Sequence, residues 1–230
     1  MPADRFFHDG PLQQGATIEL TGPEHHHLAR VMRISIGEEI ELINGRGALA
    51  HATLQDLNKR SAACHLLKVA TIHRPAAQTI LAIPLMRPSK LELIVEKGTE
   101  LGADAFHFYP ADHSEKPSLS ENGLERLQNL ILSAVKQSGR LFLPSIELLP
   151  NLEHILKASG SHFYGDVNPD AATLASIETG KETIFITGPE RGFSDREEKL
   201  LKEKAQGVKL NHNILRAETA PLAAIAILKR

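Results

Sequence analysis

The sequence predicts an α/β protein in which a parallel sheet, covered by helices on both faces, follows a small all-β region. Three observations carry this. From Thr79 onward, short apolar runs alternate with segments of helical periodicity. Most of those runs, such as Thr79-Ile80-Leu81-Ala82-Ile83-Pro84, are apolar throughout, as strands buried on both faces are. Before Arg74 the pattern differs: short alternating or β-type runs follow one another with turn residues between them.

In the first part, residues 5–7, 17–20, 39–43, 48–54 and 63–69 read as strands. Asp9-Gly10-Pro11, Ile36-Gly37-Glu38 and Asn44-Gly45-Arg46-Gly47 separate them, and the Asn-Gly pair between two alternating runs predicts a hairpin. A helical insert over residues 23–32 interrupts the strands. Strands at this spacing predict a small β-barrel. The polar, proline-containing break at residues 73–78 sets the boundary between domains 1–74 and 75–230.

In the second part, strand 79–84 leads to a helix over 89–101. Ser89 and Glu92 have capping-box spacing, and Gly102 stands where a helix-ending glycine belongs. A strand at 105–109 follows. Leu127, Leu130, Ile131, Ala134 and Val135 mark the apolar face of a helix ending near Gly139. Residues 145–148 and 161–164 read as strands, and 152–158 and 171–177 as short helices. Strand 183–187, a helix capped by Ser194 and Glu197, strand 208–210 and a last helix through Leu228 complete the chain.

Composition bounds the function. The chain has 230 residues, 42% hydrophobic and 23% charged, with a formal net charge of −2. Those values are ordinary for a globular protein and argue against non-specific nucleic-acid binding, though not against a local basic face. The single cysteine, Cys64, excludes an internal disulfide, fits a reducing compartment and reads as a small buried hydrophobe. No apolar run approaches the roughly 20 residues of a membrane helix. Met1-Pro2-Ala3-Asp4-Arg5 leads into no signal-peptide core, so the expected location is cytoplasmic.

Four stretches carry residues suited to chemistry. Gly188-Pro189-Glu190-Arg191-Gly192-Phe193-Ser194 follows a strand and opens a helix, so it is either a ligand loop or a strand-to-helix turn. Arg216 and Glu218 lie between an apolar strand and an apolar helix, as a structural salt bridge or a site pair. His25-His26-His27 invites a metal, but adjacent residues do not share a helix face and no H-x-x-x-H spacing occurs, so no metal is expected. Nearby, Arg30 and Arg33 sit one helical turn apart, for phosphate or for a solvated face. Ser114-Glu115-Lys116-Pro117 and Gln137-Ser138-Gly139-Arg140 form no hydrolase triad. Neither G-x-G-x-x-G nor G-x-x-x-x-G-K-[ST] is present, which weighs against a nucleotide or sugar-phosphate enzyme without removing that class.

Taken with Ile214-Leu215-Arg216-Ala217-Glu218-Thr219-Ala220, the Gly188–Ser194 stretch resembles the signatures of bacterial 16S ribosomal RNA uridine-N3 methyltransferases, of the SPOUT (α/β knot) superfamily. Arg5-Phe6-Phe7, His26-His27-Leu28 through Arg33, Glu96-Lys97-Gly98-Thr99-Glu100-Leu101-Gly102, and Gln137-Ser138-Gly139-Arg140 with Pro144 resemble further motifs, in the family's order. The resemblance spans nearly the whole chain. It implies a PUA-like RNA-binding β-barrel followed by a trefoil-knotted parallel-sheet domain, a topology that periodicity does not predict. It also implies a homodimer acting on 16S rRNA in the small ribosomal subunit, with no membrane and no metal.

By the same resemblance, S-adenosylmethionine touches Gly188, Pro189, Glu190 and Gly192 and the loop carrying Leu210, Asn211, Ile214 and Leu215. Methylation at N3 requires removal of the imide proton, so a general base is expected: Glu218 first, Glu190 second. Arg216 would stabilise charge on the uracil oxygens. RNA contact falls to Arg5, Arg30, Arg33, Arg87 and Arg140, with affinity set by the shape of assembled RNA. Three positions depart from the family. Arg191 and Asn211 stand where glycine is usual, and Asn213 where arginine is usual. Arg191 brings bulk and charge beside the cofactor loop, which keeps open a non-catalytic RNA-binding protein that retains the barrel.

Overall fold

The computed structural model describes residues 4–115 and 118–230. The expectations placed on Met1-Pro2-Ala3 and on Lys116-Pro117 lie outside the described residues. Chain contacts divide into two compact units, residues 1–74 with Val135–Leu143, and Pro75–Ala134 with Pro144–Arg230.

The first unit holds a five-stranded mixed sheet of β1 (Arg5–Phe7), β2 (Thr17–Thr21), β3 (Glu39–Ile43), β4 (Ala48–Leu57) and β5 (Ser61–Thr71), in the order β1-β3-β4-β5-β2. Only β1 and β3 run parallel in it. Alternate residues of the strands, among them Phe6, Leu20, Leu42, Leu54 and Leu66, turn inward with Leu28 to form one core. Between β3 and β4 the chain uses four residues. Asn44 Oδ1 accepts from the amides of Arg46 and Ala48 (2.9 and 3.1 Å). Gly47, at φ 100°, is required: a Cβ there would lie 2.4 Å from the carbonyl oxygen of Ile72.

The helical insert is not a uniform α-helix. An α-helical turn, α1 (Gly22–His26), continues as a π-helical turn, His27–Met32, closed by Arg33 in the left-handed conformation at φ 57°. The expected spacing of Arg30 and Arg33 on one helix face is therefore lost, because Arg33 is the terminating residue. His25 Nε2 lies 3.0 Å from the carbonyl oxygen of Asn58, and the His27 ring meets Phe6 edge-on.

The second unit is built on six parallel strands: β6 (Gln78–Pro84), β7 (Ala105–Tyr109), β8 (Ser145–Leu148), β9 (Ser161–Gly165), β10 (Glu182–Ile186) and β11 (Gln206–Val208). Their order is β11-β9-β10-β6-β7-β8. The central strands β6, β7 and β10 are buried almost throughout, which is why they read as unbroken apolar runs. At the edge, β8 is Ser-Ile-Glu-Leu and mostly exposed, so its sequence is mixed.

Helices α2 (Pro88–Glu100), α3 (Glu121–Ser138), α4 (Leu152–Ile155), α5 (Asp195–Lys204) and α6 (Thr219–Leu228) connect or follow these strands. None among the described residues is long and apolar enough to cross a membrane. The Ser89/Glu92 capping box is corrected: Pro88 begins α2, Arg87 is its N-cap and no side chain caps it. Proline favours the first helical position, so it outweighs the downstream serine. At the other end Gly102 takes φ 103°, with Gly102 N–H bonded to Thr99 and Ala103 N–H to Gly98, a Schellman ending. The helix expected over 152–158 stops at Ile155, and that over 171–177 is one 3₁₀ turn, Leu174–Ser176. The strand expected at 208–210 runs instead over Gln206–Val208.

The Ser194/Glu197 capping box forms as expected at α5. Glu197 is buried, and its carboxylate accepts from the amides of Ser194 (3.0 Å) and Asp112 (3.1 Å). It thereby ties the start of α5 to the segment after β7. Substituting Glu197→Ala removes a cap interaction and leaves two part-buried amides without their acceptor, so we expect a loss of about 1–2 kcal/mol, read as a lowered urea midpoint. A change below about 0.5 kcal/mol would mean that water replaces the carboxylate.

Candidate functional site

The strand order reverses between β6 and β10, and the crevice above the carboxyl ends of such strands is where an open α/β sheet binds its ligand. A cavity of about 550 Å3 lies there. Thr187, Gly188, Pro189, Glu190 and Phe193 line it after β10, and Gly165 and Val167 after β9. Residues 214–218 line it ahead of α6, Ala220 lines it from the start of α6, and Lys90 reaches it from the first turn of α2. A smaller cavity of about 200 Å3 shares Ile214 and Leu215 and adds Leu210 and Asn211. The two loops singled out in the sequence, more than twenty residues apart, thus form one site.

The loop after β10 is held from several sides. The carbonyl oxygen of Thr187 accepts from Tyr109 Oη (2.8 Å), and Gly192 N–H bonds back to Pro189 (2.9 Å). Gly192 takes φ 79°, and its carbonyl oxygen lies 3.0 Å from His113 Nδ1. Asp112 accepts from Ser194 Oγ (2.5 Å) and from Arg196, which also pairs with Glu153. Those contacts, with Arg196 contributing most, hold the Asp112 carboxyl below its ordinary value. Gly188 packs against Phe193, whose ring would stand 3.0 Å from an added Cβ.

The charged groups form one cluster. Lys90 Nζ lies 3.0 Å from Glu190 Oε1 and 2.9 Å from Glu218 Oε2. Burial pushes the Glu218 carboxyl up. The Lys90 contact, a backbone hydrogen bond and the charges of Lys90 and Arg216 outweigh it, and the group sits below its ordinary value. Lys90 is raised, by Glu218 first and then by Glu190. Lys90 Nζ is thus the partner of the buried Glu218 Oε2. Thr187 Oγ1 is a buried polar atom without a hydrogen-bond partner among the described residues.

The expected site residues therefore distribute as follows. Arg216 and Glu218 are not a salt bridge to each other: Glu218 faces Lys90, and the exposed Arg216 guanidinium has no ion pair among the described residues. Glu190 joins Glu218 at the same cation. Gly188, Pro189, Ile214 and Leu215 line the large cavity, and Leu210 and Asn211 the small one. Gly192 lines neither and makes the turn instead. Ile214 is 84% exposed. Arg191 is exposed and outside both cavity walls, so its bulk does not fill the site.

Of the arginines expected to meet RNA, Arg30 and Arg33 are exposed. Arg87 is exposed and paired with Glu115 (2.8 Å), and Arg140 is half-buried. Arg5 is corrected: its side chain is 8% exposed and bound to Glu41 (2.6 Å), a pair inside the first unit. The residue that sequence reasoning missed is Lys90. Its available signal was a lysine in the first turn of a helix with no acid beside it.

A parallel α/β sheet with its cavity at the reversal of strand order is a ligand-binding domain of the open α/β class. Residues 73–229 match the family described as RNA methyltransferase domain, and residues 20–67 that described as RNA methyltransferase PUA domain. The chain belongs to this RNA methyltransferase family. It is 34% identical to the ribosomal RNA small subunit methyltransferase E of Synechocystis, over 92% of this chain and 72% of that protein. It is 29% identical to the Bacillus subtilis protein of the same name, over 94% and 90%. The crystal structure of the Neisseria gonorrhoeae ribosomal RNA small subunit methyltransferase E bound to S-adenosyl methionine is also similar. Its TM-score is 0.89 at 29% identity, covering 98% of this chain and 96% of that one.

The unpartnered hydroxyl of Thr187 generates a prediction with a definite sign. Exchange for a similarly shaped apolar side chain removes the cost of burying it, so Thr187→Val should gain about 1 kcal/mol in urea unfolding. Destabilisation would mean that the hydroxyl is hydrogen-bonded in the folded protein.

Proposed function

We propose that this chain methylates uridine at N3 in the 16S ribosomal RNA of the small ribosomal subunit, with S-adenosylmethionine as methyl donor. Family membership, the names of its relatives and the S-adenosyl methionine held by the Neisseria structure support this reading. The observation that carries it is the meeting of Glu218, Arg216 and the Gly188–Glu190 turn at one cavity. In this reading the first unit is a PUA-like RNA-binding barrel, whose exposed Arg30 and Arg33 would meet phosphates. The second is a trefoil-knotted SPOUT domain, and the protein acts as a cytoplasmic homodimer.

The residues present fit the cofactor. The cavity volume is that of a small-molecule site, and its walls pair apolar side chains such as Phe185, Phe193 and Ile214 with a few polar ones. Two carboxylates, Glu190 and Glu218, share the single ammonium of Lys90, and the buried Thr187 hydroxyl has no hydrogen-bond partner among the described residues. Gly188, Pro189, Glu190, Leu210, Asn211, Ile214 and Leu215 would hold it. S-adenosylmethionine, when bound, supplies a methyl group on a sulfonium cation that needs no further activation.

The chain's own task is to present uracil N3 without its proton. Glu218 suits the base better than Glu190, because its side chain is less exposed (14% against 23%) and lines the same cavity as Arg216. Its depressed pKa keeps it ionised, hence able to accept, at neutral pH. The Arg216 guanidinium, free of internal pairs among the described residues, would offset the charge left on the uracil oxygens. Walls fixed by Tyr109 and Glu197 supply orientation.

Nucleoside mass spectrometry of unmodified small subunits, incubated with the protein and S-adenosylmethionine, should reveal 3-methyluridine. Cofactor binding without methylation would move the substrate to another RNA; neither binding nor methylation would favour an RNA-binding protein without turnover. Arg216→Ala should slow turnover by about 100-fold, as loss of one charge-stabilising donor does. Its calorimetric affinity for the cofactor should stay within about threefold, since less than 1 kcal/mol is involved. Loss of that affinity with the fold intact would make Arg216 a cofactor residue.

A further inference from the structure

Lys90 occupies a position that local rules disfavour. Pro88 is the first residue of α2, so Lys90 lies in the first turn, where the helix dipole repels a cation. No acidic residue shares that turn, and the N-cap is a second cation, Arg87. Arg87 is satisfied by Glu115. Lys90 turns the other way, into the cavity, where two carboxylates from two different loops converge on its one ammonium. A side chain placed against its helix and matched by distant groups is the mark of a functional constraint.

We propose that Lys90 is the positioning residue of this site: its ammonium, shared between Glu190 and Glu218, holds the Glu218 carboxylate charged and fixed at the cavity wall. This rests on the reading of Glu218 as the base. Sharing is the useful feature. When Glu218 takes up the imide proton it loses its charge, and Glu190 keeps the lysine in place until that proton passes to solvent. A single Lys–Glu pair would release the lysine at that moment. The charged groups that face Glu218 are Lys90 from α2, Glu190 from the loop after β10, and Arg216 from its own segment. Arg87, Glu115 and Arg191 form an outer rim, in which Glu115 feels Arg87, Lys90 and Arg191.

The test replaces Lys90 by methionine, which keeps length and removes charge, with circular dichroism as a check on folding. Carbon-13 NMR titration of the glutamate carboxyls, without substrate, should place Glu218 ionisation in Lys90→Met at higher pH than in the native protein. The acid limb of the pH–rate profile should follow. Turnover would drop about tenfold or more on the acid side and recover to within about threefold as pH rises, since a base is needed only in its ionised form. Lys90→Arg, which retains the cation, should keep the native limb. Coincident Glu218 titrations in native and Lys90→Met proteins would overturn the proposal. Should Lys90→Met not fold, the native titration decides. The Lys90 Nζ resonance must then shift as Glu218 is protonated, and a Lys90 signal indifferent to that step overturns it. If the NMR shift appears while the native protein transfers no methyl group, the functional reading falls and the charge-holding role of Lys90 stands.

Discussion

β6 and β10 lie side by side and parallel, yet the chain leaves β6 toward β7 and reaches β10 from β9. Their following connections diverge, so no helix crosses above the gap at their carboxyl ends. That gap is the cavity. It collects the start of α2, the turn after β10, and the segment ahead of α6, which are remote in sequence. Each brings charge to it: Lys90 from the first, Glu190 from the second, and Arg216 with Glu218 from the third. The topology therefore fixes where polar groups gather before any side chain is chosen.

Holding such a gap open needs rigid walls. The wall after β10 is anchored at its base by the Tyr109 hydroxyl on Thr187 and at its far end by Glu197, which joins α5 to the segment after β7. Asp112, Arg196 and Glu153 extend that anchorage. These contacts lie outside the cavity walls, and their effect is to fix peptide groups whose positions matter to whatever binds. The wall ahead of α6 is different in character. Ile214 is almost wholly exposed, and the Asn213 amide bonds only to the nearby Asn211 side chain (3.0 Å). One wall is set by the fold, and the other carries apolar surface that a ligand would cover.

The elements whose cause is local were legible. Ser194 and Glu197 are three residues apart and form the cap their spacing implies, and Gly102 ends α2 because only the left-handed conformation closes that motif. Buried parallel strands announced themselves by unbroken apolar runs. Where two local signals competed, the reading failed: Ser89/Glu92 has the spacing of a cap, but Pro88 already provides a helix start. The π-helical turn at His27–Met32 has no sequence signature of its own, and it displaced Arg33 from the face assigned to it. Arg5 was assigned to RNA by resemblance; its pairing with Glu41, 36 residues along the chain, has no local signal.

The same distinction explains why half of the site was visible. Glu190 and Glu218 stand beside glycine, proline and helix-start signals that mark ligand loops, so their positions alone made them candidates. Lys90 is surrounded by nothing unusual. A helix over 89–101 already sets Lys90 in the first turn, but with Glu92 in the capping position to offset it; starting α2 at Pro88 leaves no acid in that turn. Correcting one helix boundary by a residue changes the chemistry assigned to its first turn. The two carboxylates then cease to be rival bases. On the proposed reading they form a pair with unequal tasks, the less exposed one to meet the substrate and the more exposed one to steady the cation between them.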